Sequence, residues 1–333
     1  MHKPYIDNVR IINQEKHKKI HSLQEERWGK RYIQYKKNWE NARKFDLNST
    51  FPLHIDLDST DACNLNCPYC WAEGGHFKRT NKRMPNQLID EIFQEINSAN
   101  NDGQLCALNI GTIGEPLLCL DVVYNILERS VDAGLIDKFI HTNAHLLTID
   151  VFRNLVDLDL TYLLISLDAI REETYEKVRG KGFNNVLQNI EKVIEYKREK
   201  NLFFPIIRVS FVENDINESE KNDFIHFFKD KVDFVEIQPL VKYNYTLTEN
   251  KNVSIYCHQP YQRMLIGLQG QMALCCSGYS MLRDFYVAKF PEMPIKEAWL
   301  HEKSQKLRYA LKENELTDYP YCLKCLQSRK KPE

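Results

Sequence analysis

The chain has 333 residues, of which 43% are hydrophobic and 27% are charged, and its formal net charge is −1. This length and apolar content allow one large domain and a smaller one. The near-neutral charge balance argues against nucleic acid or an anionic membrane as a partner. The sequence starts with a polar segment and has no apolar run long enough to span a bilayer, so we expect neither a secretion signal nor a membrane span. The ten cysteines are then expected to be reduced thiols of a cytoplasmic protein, used in metal or redox chemistry.

The first segment, residues 1–50, is polar, and within it Trp28, Tyr32, Tyr35 and Trp39 recur every three or four positions. This spacing is the period of one face of an α-helix. We therefore predict a helical N-terminal extension whose aromatic face packs on the main domain. The alternative is an arm that holds a substrate or a partner.

The second segment, residues 51–244, alternates short apolar runs with amphipathic helical patterns. Six such β–α repeats with buried strands predict a parallel sheet covered by helices. When curved, this sheet forms an α/β fold of the partial (β/α)6 TIM-like barrel type, whose active site lies at the C-terminal ends of the strands. The predicted strands are 53–60, 107–114, 138–144, 162–169, 206–212 and 233–240, and the predicted helices are 84–100, 120–134, 148–158, 183–201 and 218–232.

The third segment, residues 245–333, has a different pattern and is predicted to be a small appended domain with its own cysteines. Two short strands are expected around a turn at Gln269 and Gly270. One long helix is then predicted over residues 295–315, and the run YCLKC follows it.

Three cysteines, Cys63, Cys67 and Cys70, lie together just after the first predicted strand. A closed structural metal site takes four ligands, and a [4Fe–4S] cluster is normally held by four thiolates. Three thiolates therefore leave one iron open to a small-molecule ligand. The alternative is a zinc site that takes its fourth ligand from elsewhere, and His76 is the nearest candidate.

The run CNLNCPYC resembles the signature of the radical S-adenosylmethionine (SAM) superfamily, CxxxCxxC with an aromatic residue before the last cysteine. The run GTIGEP after the second strand resembles the family's glycine–glutamate motif for the SAM amino group. HTNA and ISLDA resemble the TNG and SLDG motifs of the third and fourth strands, with Ala144 and Ala169 where glycine is usual. The resemblance covers roughly residues 51–240.

This resemblance implies that SAM binds the open iron through its amino and carboxylate groups. Reduction of the cluster by a flavodoxin- or ferredoxin-type donor then cleaves SAM to methionine and a 5′-deoxyadenosyl radical, which abstracts a hydrogen atom from the substrate. Glu115 is expected to accept hydrogen bonds from the SAM amino group, and Arg208 is the candidate for its carboxylate, the alternative being a surface-paired arginine. The implied cofactor-binding residues are Tyr69, Gly111, Gly114, Glu115, Asn143, Ser166 and Arg208.

The later cysteines resemble the start of a SPASM domain, in the shortened "twitch" form that holds one auxiliary [4Fe–4S] cluster. Cys276 is an alternative to its neighbour among the ligands, and zinc is an alternative to the cluster. Cys276 also stands where sulfatase-maturing relatives carry an aspartate, which counts against sulfatase maturation. Cys106 and Cys119 are expected to be small buried hydrophobic residues. The predicted auxiliary ligands are Cys257, Cys275, Cys322 and Cys325.

The leading functional hypothesis is radical dehydrogenation of a polar small molecule, such as an aminocyclitol or sugar, with the auxiliary cluster as electron acceptor. The cysteine layout is similar to that of the 2-deoxy-scyllo-inosamine dehydrogenases. The alternatives are peptide modification, epimerisation with Cys276 returning a hydrogen atom, and a metal-bearing module without enzymatic activity. No catalytic base is assigned, because each polar candidate also has a structural explanation. Those candidates are His141, Asp168, Glu236 and Gln238.

Overall fold

The computed structural model describes residues 9–11, 14–46, 49–70, 79–100, 103–240, 257–275 and 285–328. The strands are β1 (Val9–Ile11), β2 (His54–Leu57), β3 (Ala107–Ile110), β4 (Asp137–Thr142), β5 (Tyr162–Ser166), β6 (Ile206–Glu213), β7 (Phe234–Pro239), β8 (Arg263–Ile266), β9 (Gln271–Ala273) and β10 (Tyr286–Lys289). The helices are α1 (Gln14–Arg43), α2 (Asn86–Ala99), α3 (Leu120–Asp132), α4 (Ile149–Asp157), α5 (Glu172–Val178), α6 (Phe183–Glu199), α7 (Lys221–Phe228), α8 (Ile295–Leu300), α9 (Glu302–Glu313) and α10 (Pro320–Ser328).

The strands of the described residues form one sheet in the order β1-β7-β6-β5-β4-β3-β2-β8-β9-β10. Strands β2 to β7 are parallel, each next to its neighbour in sequence. The helices that connect them cover the sheet, as in a partial TIM-like barrel. All six parallel strands predicted from the sequence are confirmed within a few residues at each end.

The barrel strands have two faces of different chemistry, because successive side chains of a strand point to opposite sides. Ile55 and Leu57 of β2 pack into the apolar core under the helices. His54 and Asp56 alternate with them and line the inside of the barrel. The lumen is therefore polar, whereas the layer between strands and helices is apolar.

Helix α1 crosses the N-terminal ends of the barrel strands. Its Tyr32 and Tyr35 are buried against Ala107 and Ile136, which confirms the predicted packing of the aromatic face. Gly29 has non-helical angles, φ 54° and ψ −137°, and these divide the helix into two parts. Since glycine adopts positive φ readily, this residue permits the bend that lets one helix follow the curved rim.

Further contacts hold α1 across that end of the barrel. The Nζ of Lys16 donates to the carbonyl oxygen of Val232 at 2.7 Å, just before β7. The carbonyl oxygen of Trp39 accepts a bond from Gln262 Nε2 at 3.2 Å, just before β8. The helix therefore lies across the end of the barrel opposite to the cysteine loop.

The C-terminal segment joins the main sheet instead of standing apart from it. Strand β8 pairs in parallel with β2, and β9 and β10 continue the sheet with antiparallel pairing. The predicted hairpin around Gln269 and Gly270 is confirmed as β8 and β9. The domain boundaries at 50 and 244 remain predictions, and the second of them lies outside the described residues.

The single long helix predicted over residues 295–315 is wrong. The segment forms two helices, α8 and α9, separated at His301, whose ψ of 151° is extended. The Nδ1 of His301 accepts a bond from Lys303 N at 3.2 Å and so caps the start of α9. The sequence analysis also did not predict the short helix α5.

Candidate functional site

The loop after β2 carries Cys63, Cys67 and Cys70, all three half-buried. A turn in which Cys70 N donates to Cys67 O at 2.9 Å brings the last two onto one turn of backbone. The Nη2 of Arg79 lies 3.6 Å from Cys70 Sγ, so a guanidinium group faces this thiol. His76, the alternative fourth ligand, lies outside the described residues.

Gly114 allows the segment after β3 to pack directly against the cysteine loop. A Cβ atom there would lie 2.3 Å from Thr60 O and 2.6 Å from Ala62 O, both backbone atoms just before Cys63. Glu115 N donates to Ala62 O at 2.8 Å. Glycine at this position is therefore required by the close approach of two backbone segments.

The carboxylate of Glu115 is almost completely buried and accepts three hydrogen bonds. Its donors are Thr142 Oγ1 at 2.7 Å, Asn143 N at 2.8 Å and Leu117 N at 3.2 Å. Burial raises the pKa of Glu115 to about 7 although these donors oppose the shift. Two of the sequence motifs, GTIGEP and HTNA, thus meet at one carboxylate.

The end of β4 connects this carboxylate to the cysteine loop. The Nδ2 of Asn143 donates to Asn64 Oδ1 at 2.7 Å and lies 4.0 Å from Cys63 Sγ. The next residue, Ala144, is buried with φ 62°. This left-handed conformation explains why glycine is usual at this position of the motif.

Arg179, which the sequence analysis did not identify, also faces the cysteine loop. Its Nη1 lies 3.8 Å from Cys67 Sγ, and its Nη2 forms an ion pair with Asp168. Asp168 also accepts a bond from Val212 N at 2.8 Å. The only sequence signal for Arg179 is the glycine-containing run RGKG between α5 and α6, where Gly180 and Gly182 have positive φ.

One cavity of about 930 Å³ runs from the cysteine loop through the barrel lumen to helix α1. At the α1 end it has an aromatic lining, in which Phe139 stacks on Tyr162 with ring centroids 4.5 Å apart, and Trp39 of α1 also lines it. The cavity brings together every residue predicted for the SAM site. These are Cys63, Cys67, Tyr69, Cys70, Gly111, Gly114, Glu115, Asn143, Ser166 and Arg208.

Arg208 lies inside the lumen, so its alternative interpretation as a surface residue is wrong. Its Nη1 is 3.1 Å from Glu236 Oε1, and Glu236 is fully buried. In the sheet register Arg208 stands two residues before Ser210, which pairs with Ser166. It is therefore deeper in the barrel than the strand ends that carry the other motif residues.

Three of the four polar residues considered as bases, Asp168, Glu236 and Gln238, have partners in the structure. Asp168 pairs with Arg179, and Gln238 Nε2 donates to Glu236 Oε2 at 2.7 Å. Burial, with Arg208 nearby, lowers the pKa of His141 to about 3, so its imidazole is neutral. The structure therefore gives Asp168, Glu236 and Gln238 structural roles, and none of the four residues is assigned as a catalytic base.

The auxiliary cysteines lie outside this cavity. Cys257, Cys275 and Cys322 pack against the main apolar core, and Cys322 and Cys325 lie three residues apart on α10, on one face of the helix. His258 and Gln259, which directly follow Cys257, line the cavity. Cys276, the alternative ligand, lies outside the described residues, and Cys106 and Cys119 are buried as predicted.

The donor set of the cysteine loop fits an open iron–sulfur cluster. Two of its three thiols contact guanidinium groups, Cys70 that of Arg79 and Cys67 that of Arg179. Burial raises the pKa of the Cys67 thiol, and the positive charge of Arg179 opposes that shift. Within the part of the chain that the structure describes, no three His, Cys, Asp or Glu side chains converge as closely as a single metal ion requires. A four-iron cluster is larger than one ion and takes ligands that stand farther apart.

Two family models match the chain. The Radical SAM superfamily model matches residues 57–217, and the SPASM model, an iron–sulfur cluster-binding domain, matches residues 257–326. Among curated proteins, the GTP 3′,8-cyclase of Clostridium botulinum is 30% identical over 191 residues, which are 56% of this chain and 57% of the relative. That of Limosilactobacillus fermentum is 34% identical over 194 residues. The chain covers less than two thirds of the length of these relatives.

Solved structures share the fold at low sequence identity. BtrN in complex with AdoMet and 2-DOIA has 15% identity and a TM-score of 0.55, over 83% of this chain and 93% of that chain. Streptococcus suis SuiB bound to precursor peptide SuiA has 14% identity and a TM-score of 0.56, over 83% and 71%. One neighbour is in complex with 2-DOIA and the other is bound to a precursor peptide, so the fold alone does not define the substrate. Among the described helices, none has both the length and the apolar character needed to cross a bilayer.

Proposed function

Since this chain is a radical SAM protein with a C-terminal SPASM-type domain, we propose that it dehydrogenates a polar small molecule. A protein with these domains uses SAM and a [4Fe–4S] cluster, together with auxiliary iron–sulfur chemistry. When bound, the reduced cluster supplies the electron that cleaves SAM, and the product radical removes a hydrogen atom from substrate. Cys63, Cys67 and Cys70 hold this cluster, and the closed site of Cys257, Cys275, Cys322 and Cys325 holds one auxiliary cluster.

The residues around the open site have separate roles in this proposal. Glu115 accepts hydrogen bonds from the SAM amino group, and Gly111 and Gly114 let the backbone approach the bound ligand. Asn143 and Ser166 bind SAM oxygens, and Tyr69 lies where the adenine is held. Arg208 binds the SAM carboxylate. All of them line the same cavity.

The observation that carries the proposal is a cavity of about 930 Å³ that reaches the cysteine loop at one end and α1 at the other. A cavity of this volume inside a barrel fits a small molecule or one side chain better than an extended peptide. The described part of residues 1–50 forms β1 and α1, and side chains of α1 line one end of this cavity.

The proposed oxidation is balanced. A substrate carbon bearing a hydroxyl or amino group loses one hydrogen atom to the radical, and then one proton and one electron, to give a carbonyl or imine. When bound, the auxiliary cluster supplies the acceptor for that electron. His258 and Gln259 border the cavity next to Cys257, so the auxiliary ligands adjoin the substrate space.

The test is anaerobic reconstitution of the full chain with iron and sulfide, followed by SAM and a reductant. We expect about eight irons per chain and reductant-dependent 5′-deoxyadenosine. About four irons plus one zinc would overturn the auxiliary cluster as electron acceptor. Turnover is then compared between aminocyclitols and GTP, because the curated relatives are named for GTP. Deuterium uptake from solvent at the attacked carbon would support epimerisation and contradict dehydrogenation.

A further inference from the structure

A set of polar side chains lines the barrel lumen beside the aromatic pair of Phe139 and Tyr162, since Phe139 is directly opposite Asn109 in the sheet. We call this set the lumen ring. Its members alternate in sequence with the apolar residues that pack under the helices, so the same strands that build the core also place them inside. The lumen ring consists of Asp56, Asn109, His141, Arg208 and Arg263, which line the cavity, together with Glu236, which is fully buried and pairs with Arg208.

Two neighbouring acceptors of the lumen ring have no hydrogen-bond partner among the described residues. Asp56 is 1% exposed and Asn109 is 4% exposed, and both line the cavity. The Nδ2 of Asn109 donates to Asp56 Oδ1 at 3.0 Å, and this bond fixes both side chains. Asp56 Oδ2 and Asn109 Oδ1 remain without a donor. Leaving two buried acceptors unsatisfied is costly, so a ligand that donates to both is favoured.

The lumen ring carries balanced charge. Arg263 Nη1 lies 3.5 Å from Asp56 Oδ1, and Arg208 pairs with Glu236. Burial lowers the pKa of His141 to about 3, so this ring member stays neutral at physiological pH. Both guanidinium groups are therefore already matched by carboxylates. Such a ring offers little attraction to a polyanion such as a nucleoside triphosphate.

Along the strands, the lumen ring lies a short distance from the SAM motifs, on the side of the N-terminal strand ends. Asn109 and Gly111 are two residues apart along the same strand direction, which corresponds to about 7 Å. A six-membered ring with its substituents spans a comparable length. A ligand of this size could reach the free acceptors with one edge and the strand ends with the other.

We propose that Asp56 and Asn109 bind adjacent hydroxyl or amino groups of a ring-sized polyol or amino-polyol, and so select the substrate class. The Asp56 Oδ2 and Asn109 Oδ1 atoms each accept one bond from the ligand, and the guanidinium of Arg263 stands beside Asp56. This inference rests on the proposed function, because it assigns the substrate of that same cavity. Neither residue belongs to the sequence motifs for SAM.

The test uses the reconstituted full chain and saturation-transfer NMR with three probes. These are myo-inositol, scyllo-inosamine, and hexa-O-methyl-myo-inositol, which lacks every donor. We expect at least one of the two donor probes to bind and the methylated probe not to bind. Asn109→Leu should weaken the affinity for the probe that binds by about tenfold, which is the effect of losing one well-formed hydrogen bond. Asn154→Leu, at an exposed position on α4, is the matched control and should change nothing.

Asp56→Asn provides a second variant if Asn109→Leu does not fold, and it should weaken the same probe because its amide nitrogen cannot accept. Three outcomes would overturn the assignment. They are equal binding of the methylated probe, no saturation by either donor probe, and unchanged affinity in a folded variant. SAM binding and 5′-deoxyadenosine formation without substrate are measured on the same samples. Absence of both would count against the proposed function. The probe titrations would still decide whether Asp56 and Asn109 bind the donor groups of the probe.

Discussion

Arg179 and Cys67 contact each other through two different groups of the arginine. The guanidinium Nη1 lies 3.8 Å from Cys67 Sγ, and the backbone carbonyl oxygen of Arg179 lies 3.6 Å from the same sulfur. Asp168 holds the guanidinium from its other side. A buried cation is thus fixed beside one ligand of the proposed open cluster, where it stabilises negative charge on sulfur.

Replacing this cation should make the first cluster harder to reduce. Arg179→Gln keeps a polar side chain but removes the positive charge, and reduction potentials fall as positive charge and hydrogen bonds near the sulfurs are lost. We expect a lower midpoint potential in an EPR-monitored titration and 5′-deoxyadenosine formation slowed about tenfold or more, equivalent to about 1.4 kcal/mol in the barrier.

Arg198→Gln is the matched control for that experiment, because Arg198 is largely exposed on α6 and pairs with its helical neighbour Glu195. It should leave both the potential and the rate unchanged. An unchanged potential in Arg179→Gln, with full iron content, would show that the contact with Cys67 has no electrostatic effect on the cluster.

The close approach at Gly114 gives a second prediction. In Gly114→Ala, the new Cβ would meet Thr60 O and Ala62 O at 2.3 and 2.6 Å, so the backbone before Cys63 must move. We expect the loss of about four irons per chain, with the auxiliary site retained, and no SAM cleavage. Iron analysis with Mössbauer spectroscopy measures this. Gly103→Ala is the control. Its φ of 60° makes alanine strained there, unlike at Gly114, but within the described residues its Cβ would approach only Arg31 Nε, at 3.6 Å. Equal iron loss in both variants would exclude a local effect.

The strands and the motifs were predictable because both depend on local sequence. Apolar runs and their spacing gave all six parallel strands, and the three-cysteine loop followed directly from residues 63–70. The contact between Arg179 and Cys67 joins residues 112 positions apart. Only the curvature of the sheet and the path of the loop before α6 bring such residues together, and no local pattern encodes that.

The polar lumen was missed for a similar reason. In the sequence, Asp56 and Asn109 appear as single polar residues inside buried strands, and each could equally face solvent or a neighbouring helix. Their convergence depends on the register of β2 with β3, in which Asp56 is directly opposite Asn109. The pairing of β8 with β2 adds Arg263 from a distant part of the chain.

Helix α1 gives a stability prediction. Gln24 is fully buried, and its Nε2 donates to Asp137 Oδ1 at 3.1 Å and to Tyr162 Oη at 3.0 Å. Gln24→Leu leaves the buried carboxylate of Asp137 without this donor. We therefore expect the free energy of unfolding, measured by urea titration, to fall by about 2–3 kcal/mol. Gln34→Leu, on the exposed side of the same helix, should change it by less than about 0.5 kcal/mol. Equal effects would show that α1 does not hold the barrel through Gln24.

Glu115 gives a pH prediction whose sign follows from its burial. Desolvation raises the pKa of Glu115 to about 7, against the bonds from Asn143, Thr142 and Leu117. The carboxylate is ionised at pH 8 and can accept the proposed hydrogen bond from the SAM amino group, whereas at pH 6 it must first lose a proton. The dissociation constant for SAM should therefore rise as pH falls below about 7, by up to about tenfold per pH unit, and should be nearly constant above it.

Glu115→Gln separates this titration from that of SAM itself. The variant should bind SAM more weakly at pH 8, because an amide is a poorer acceptor than a carboxylate. Below pH 7 its dissociation constant should change less steeply than that of the unmodified protein, and any slope that remains belongs to SAM or to other groups. Isothermal titration of the reconstituted protein between pH 6 and 8 measures both curves. Parallel curves for the two proteins would mean that the proton at Glu115 is not linked to SAM binding.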